Sequence, residues 1–108
     1  MTWQVEYLEE AELDLKKLDH SLVVQIRKAI LKVSQNPTYP HGYGKPLGNH
    51  NGLDLSGLFK IKLKASGIRI VYKLEQRDDK MIIVVIGARA DLNVYKEALK
   101  RKTKHYLY

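Results

Sequence analysis

Between Phe59 and Tyr72, this 108-residue chain sets cations at a spacing that suits a polyanion. Apolar Phe59, Ile61 and Leu63 alternate with Lys60, Lys62 and Lys64, the period-two pattern of a half-buried strand. Successive side chains on one strand face stand about 6.5 Å apart, close to the separation of neighbouring phosphates along a nucleic acid strand. After an Ala65-Ser66-Gly67 turn the alternation resumes, with Ile68, Ile70 and Tyr72 on one face and Arg69 on the other. If the two strands share a core face, Arg69 joins the three lysines on the exposed one. Like charges crowded on one surface repel and add nothing to the fold. A site for a polyanion accounts for them. Solvent-facing lysines also discourage edge-to-edge aggregation, and the hairpin alone does not choose between these readings.

Two further residues have types suited to the same work. Arg89 follows the apolar run Met81–Ile86, at the end of a buried strand where side chains project from a sheet rim. Tyr95 falls in the first turn of the last helix, within reach of that rim. Each has a plainer reading: an ion pair with Asp91 for Arg89, and packing with Ala98 and Leu99 for Tyr95. The four histidines, His20, His41, His50 and His105, include no pair at the i, i+4 spacing of a helical metal motif. His50 and His105 are the two expected nearest the basic face. A surface role is preferred for all four.

Charge divides unevenly along the chain. Residues 1–40 hold five Lys and Arg against six Asp and Glu, whereas residues 41–108 hold fourteen against six. The cationic part is therefore the C-terminal two-thirds, where nucleic acid or an acidic protein could dock. Absence of cysteine excludes disulfides, thiol catalysis and thiolate metal sites. No carboxylate pair suggests a magnesium site, so no metal or cofactor is expected. The first residues do not read as a signal peptide, and Met81–Ile86 is far too short to cross a bilayer. A cytoplasmic protein without membrane contacts is the expectation.

The elements that must position these residues form one α+β domain over residues 1–108. Trp3–Tyr7 alternates as a first strand. Leu8, Ala11, Leu15 and Leu18 recur at helical spacing, with Glu9, Glu10 and Glu12 in the first turn, where the helix dipole favours anions. Asp19 or Ser21 can cap a second helix with the stripe Leu22, Ile26, Ala29, Ile30 and Val33, ending near Asn36-Pro37. These helices read as an α-hairpin packed on a small, largely antiparallel sheet. Residues 36–57 read as a long irregular loop. The basic hairpin follows, then a polar turn at Gln76–Lys80, the central strand Met81–Ile86, a helix from about Leu92 to Lys102, and a basic tail, Lys100–His105.

With these elements in this order, the chain resembles the RelE-type mRNA interferases of the RelE/ParE toxin–antitoxin superfamily. The motifs that carry the resemblance are Phe59–Tyr72 and Ile86-Gly87-Ala88-Arg89, with Tyr95 six residues later. It implies cleavage of messenger RNA in the ribosomal A site by attack of a 2′-OH on the adjacent phosphate. Lys60, Lys62, Arg69, Arg89 and Tyr95 fill the family's functional positions. Of these, Lys62 is the candidate base, with its pKa depressed by Lys60 and Arg69. Lys60 and Arg69 would stabilise the phosphorane, Arg89 the leaving group, and Tyr95 would stack on a base. Lys64 and Lys73 are expected to contact RNA. The resemblance also implies a monomeric free toxin and an acidic, partly disordered antitoxin. Two other functions stay open: a gyrase poison of the ParE type, and a non-catalytic RNA- or ribosome-binding module.

Overall fold

The computed structural model describes residues 2–88 and 92–108. Its elements run β1 (Gln4–Tyr7), α1 (Glu9–Lys16), α2 (His20–Ser34), β2 (Pro46–His50), β3 (Leu53–Leu63), β4 (Ile68–Glu75), β5 (Lys80–Ala88) and α3 (Leu92–Lys104). The strands form one sheet in the order β1-β5-β4-β3-β2. Only the β1–β5 pair is parallel among these ladders. The expected α+β class, with an N-terminal strand, an α-hairpin and a final helix, is the one observed.

Helices α1 and α2 cover one face of the sheet. Ile26, Ile30 and Val33 recur at i, i+4 and i+7 and are buried against Ile61, Ile70, Tyr72 and Ile83. Full burial of an isoleucine contributes about 1.5–3 kcal/mol, so this stripe outweighs the modest helix propensity of its β-branched residues. Asp19 is the N-cap of α2, but its side chain makes no capping hydrogen bond. At the other end Ser34 donates to Leu31 O at 2.6 Å, and the chain leaves through buried Pro37.

Helix α3 covers the other face, which corrects a simple oily-face, basic-face division of the hairpin. Leu58 and Val71 share that face with the cations, and they pack with Val84, Val85, Val94, Tyr95 and Ala98. The basic residues therefore lie beside a second apolar cluster rather than on an open sheet.

The segment expected to be one long loop holds strand in its second half. β2 pairs antiparallel with the beginning of β3, joined by a tight turn at Asn51-Gly52, where φ is 52° and 81°. Asn-Gly suits a two-residue hairpin turn because both positions need positive φ.

The C-terminal basic run is structural rather than a free tail. Arg101 donates from Nη1 to Asp14 Oδ2 and to Val84 O, both at 2.8 Å, and from Nε to Glu97 at 2.8 Å. Asp14 in turn accepts from Ile86 N at 3.0 Å. The β1 ladder on β5 stops at Tyr7–Ile83. Beyond it, this side-chain pair takes over the hydrogen bonds of the β5 edge. Lys102 is buried and donates to Ser56 O at 2.9 Å and Asp54 O at 3.3 Å. His105 and Lys104 both reach Glu10 at 3.0 Å, and these bonds lower its pKa to about 2.

Candidate active site

The alternation of β3 and β4 puts Lys60, Lys62 and Arg69 on the α3 face, and the register fixes their neighbours. Lys62 pairs with Arg69, Arg69 pairs with Gly87 of β5, and Lys60 pairs with Val71. One rung across three strands thus reads Lys62–Arg69–Gly87. The turn between β3 and β4 is held by Gly67 N, which donates to Leu63 O at 2.9 Å. Gly67 has φ of 75°, a left-handed conformation that glycine adopts without strain.

Gly87 has a second role. A Cβ there would meet Val94 Cγ2 at 2.6 Å, so only glycine lets the first turns of α3 settle onto this rung. Gly87 falls inside the Ile86–Arg89 motif, but no local pattern in the sequence reports this contact. The residue brings α3 down beside the two cations.

Arg69 is half-buried and poorly satisfied. Its Nη1 makes only long bonds to Gly67 O (3.4 Å) and Ile68 O (3.5 Å), and its Nε is buried with no hydrogen-bond partner among the described residues. A buried unpaired donor on a charged group is costly. An anion at that rung would satisfy it.

Lys60 is the lysine of the face whose pKa falls below its ordinary value. Burial is the largest cause, followed by the charges of Lys62, Arg69 and Lys45. Lys45 was not among the candidates read from the sequence. It enters here because Lys60 N donates to Lys45 O at 3.0 Å, which ties the end of the 36–45 segment to β3.

The other candidates are placed as follows. Lys62 and Lys64 are exposed, and Lys64 lies just past the end of β3. Lys73 is half-buried opposite Leu58, and its Nζ donates to Leu74 O at 3.3 Å. Tyr95 is 4% exposed and its ring lies 4.3 Å from that of His50, tilted by 51°. Packing accounts for it in this conformation, against His50 as well as the expected Ala98. Arg89 lies outside the described residues. His105 is drawn to Glu10 rather than to the basic face.

A model of the family described as "ParE toxin of type II toxin-antitoxin system, parDE" matches residues 5–93. The chain belongs to this toxin family, within the RelE/ParE superfamily. Among similar proteins of this superfamily is a putative RelE-like toxin of Escherichia coli, 33% identical over 101 residues, spanning 94% of this chain and 98% of that protein. The mRNA interferase toxin RelE of Escherichia coli K12 is 26% identical over the same shares. A variant of Escherichia coli RelE in the free state superposes with a TM-score of 0.72 at 26% identity, covering 94% of this chain and 98% of that one. That RelE variant thus shares the overall fold that holds the Lys62–Arg69 rung here.

Proposed function

We propose that this toxin is an endoribonuclease that cuts messenger RNA in the A site of the translating ribosome. The observation that carries the reading is the Lys62–Arg69 rung, with Lys60 beside it and Arg69 Nε unsatisfied. The naming of relatives at 26–33% identity as RelE-like toxin and mRNA interferase supports it.

The reaction is transesterification within the RNA. A base removes the 2′-OH proton, O2′ attacks the adjacent phosphorus, and the P–O5′ bond breaks. The products are a 2′,3′-cyclic phosphate and a 5′-OH, the leaving O5′ taking its proton from water. Arg69 binds the scissile phosphate and gains the partner its Nε lacks. The lysines meet the charge that develops on the phosphorane oxygens, the largest electrostatic demand of such a step. The base is assigned to the Lys60/Lys62 pair. Lys62 sits centrally against Arg69, and Lys60 is the amine whose proton is loosened. Arg89 serves the leaving oxygen by charge. Tyr95 reaches RNA only by leaving His50. Lys64 and Lys73 contact the RNA backbone. The mechanism uses no metal, and the ribosome aligns the message.

An acidic antitoxin holds the toxin in check, as the RelB proteins bound to RelE toxins of Escherichia coli and Mycobacterium tuberculosis suggest. The free toxin is a monomer acting in the cytoplasm. The family description also names parDE, and this favours gyrase poisoning as the second reading. The cation rung speaks against it, because binding a protein target does not call for an unsatisfied arginine paired across the ladder with a lysine.

Message recovered from a translation mixture with the purified toxin tests the chemistry. New 5′ ends that a polynucleotide kinase labels without prior phosphatase treatment are expected. Ends that require phosphatase, or an intact message with inhibited gyrase, would refute the proposal.

A further inference from the structure

A cleft of about 320 Å³ opens on the side of β3 away from β4, next to the cation rung. Its floor is apolar: Ala29 and Val33 of α2, and Ile61 and Leu63 of β3. Four lysines, Lys32, Lys45, Lys60 and Lys62, line it as well. The cleft exists because the β2 ladder ends at Pro46–Phe59, followed by the Lys60 N to Lys45 O bond, and leaves the rest of β3 uncovered. Its volume is at the lower end of the range for small-ligand sites, about 300–1,000 Å³.

Tyr43 stands at the mouth, 47% exposed, with Lys32 Nζ 5.4 Å from its ring centroid. The core does not need this ring, yet its backbone is firmly held. Tyr43 N donates to Asn36 O at 2.8 Å and Gly44 N to Thr38 O at 2.9 Å. A Cβ at Gly42 would lie 2.4 Å from Asn36 O, and one at Gly44 would lie 2.5 Å from Pro37 O. Glycines on both sides let the loop fold against itself. Pro37 O is itself fixed by the buried Tyr72 hydroxyl, which donates to it at 2.8 Å. A rigid loop that presents an exposed ring between lysines is a platform with preset geometry.

We propose that this cleft is a nucleotide subsite: one base of single-stranded RNA next to the scissile phosphate stacks on Tyr43, with its phosphates against Lys32 and Lys45. An aromatic face within a basic groove is how single strands are held without sequence preference. Lys62 belongs to both the cleft and the rung, with Lys60 beside it, so a strand lying in the cleft delivers its next phosphate to Arg69. The inference rests on the RNA-cutting reading and deepens it.

The test combines two titrations of the full chain: anisotropy with a fluorescein-labelled, 2′-O-methyl hexauridylate, which cannot be cut, and message cleavage in a translation mixture. Tyr43→Ala is expected to weaken binding about 5- to 30-fold and to raise the half-maximal cutting concentration similarly, while Tyr43→Phe stays within about twofold. Lys32→Ala should reduce the salt slope of binding by about 0.7. Thermal melts of both tyrosine variants establish that the fold is intact. If wild type binds the hexamer too weakly to measure, the cutting titration decides. Variants that bind and cut like wild type overturn the subsite. Variants that cut normally but no longer hold the cognate antitoxin assign the cleft to that protein, which also overturns it. A wild type that cuts no message sinks the parent reading and the subsite with it, before any Tyr43 variant is compared.

Discussion

Lys62 and Arg69 face each other directly across the β3–β4 ladder, two cations on a single rung. Such a pair costs the sheet a few tenths of a kcal/mol to about 1 kcal/mol. The burial of Arg69 Nε without a partner adds to that cost. A fold selected only for stability would not keep the arrangement. The rung is explained by what it binds.

Stability and activity should therefore move apart on this rung. Lys62→Ala is expected to leave Tm unchanged or slightly raised, and to lower message cutting by about 10²–10³-fold, as loss of one transition-state cation does. Arg69→Ala should be equally damaging to cutting. Melting curves and cleavage rates on the same preparations check both halves. A Lys62→Ala protein that melts lower and cuts normally would show a structural rung.

The pH dependence should identify the base. Lys60 has its pKa lowered by burial and by the charges of Lys62, Arg69 and Lys45. Below that pKa, the fraction of free amine rises tenfold per pH unit, so the single-turnover rate should climb with pH and level off before the ordinary lysine value. Lys60→Arg keeps a charge that is not lost at accessible pH. If Lys60 is the base, the variant loses the rise; if Lys62 is, the slope survives at a reduced rate.

How much of this site was legible in the sequence follows from what each signal depends on. The period-two alternation of Phe59–Leu63 and Ile68–Tyr72 depends only on strand geometry, and it gave both the hairpin and the common face of Lys60, Lys62 and Arg69. The helical stripe of Ile26, Ile30 and Val33 was equally local. Residues 46–50 were hidden because Pro46 and Gly48 obscure a short edge strand, although the Asn51-Gly52 turn was a usable signal. Arg101 and Lys102 looked like solvated tail charges. Their partners, Asp14, Val84, Asp54 and Ser56, lie between 17 and 87 residues away in the chain. No local pattern reports such contacts. The fit of Val94 on Gly87 and of Tyr95 on His50 is tertiary in the same way.

The Arg101–Asp14 pair should behave as a buried clamp. Its side chains are 9% and 13% exposed, and the pair closes the β5 edge at Val84 and Ile86. Asp14→Ala leaves the buried guanidinium with Glu97 and Val84 O alone and is expected to cost about 3 kcal/mol, read as a fall in Tm of roughly 12 °C. The Asp14→Ala/Arg101→Met double variant should lose less than the two single changes added together. Strict additivity would mean that the two side chains act independently.

Antitoxin binding should be steered by charge. The chain carries a net charge of +7, concentrated after residue 40, so an acidic partner should associate more slowly as salt screens the field. Stopped-flow association at 50 and 300 mM salt measures this. An association rate that ignores salt would place the docking surface away from the cationic two-thirds.

The most direct test of the central claim is primer extension on one defined mRNA in a reconstituted translation mixture, with wild type beside Lys62→Ala. Cuts in fixed phase with the codons, dependent on ribosomes and lost in the variant, are the predicted result. Intact message with wild-type protein, or identical cuts with Lys62→Ala, would contradict it.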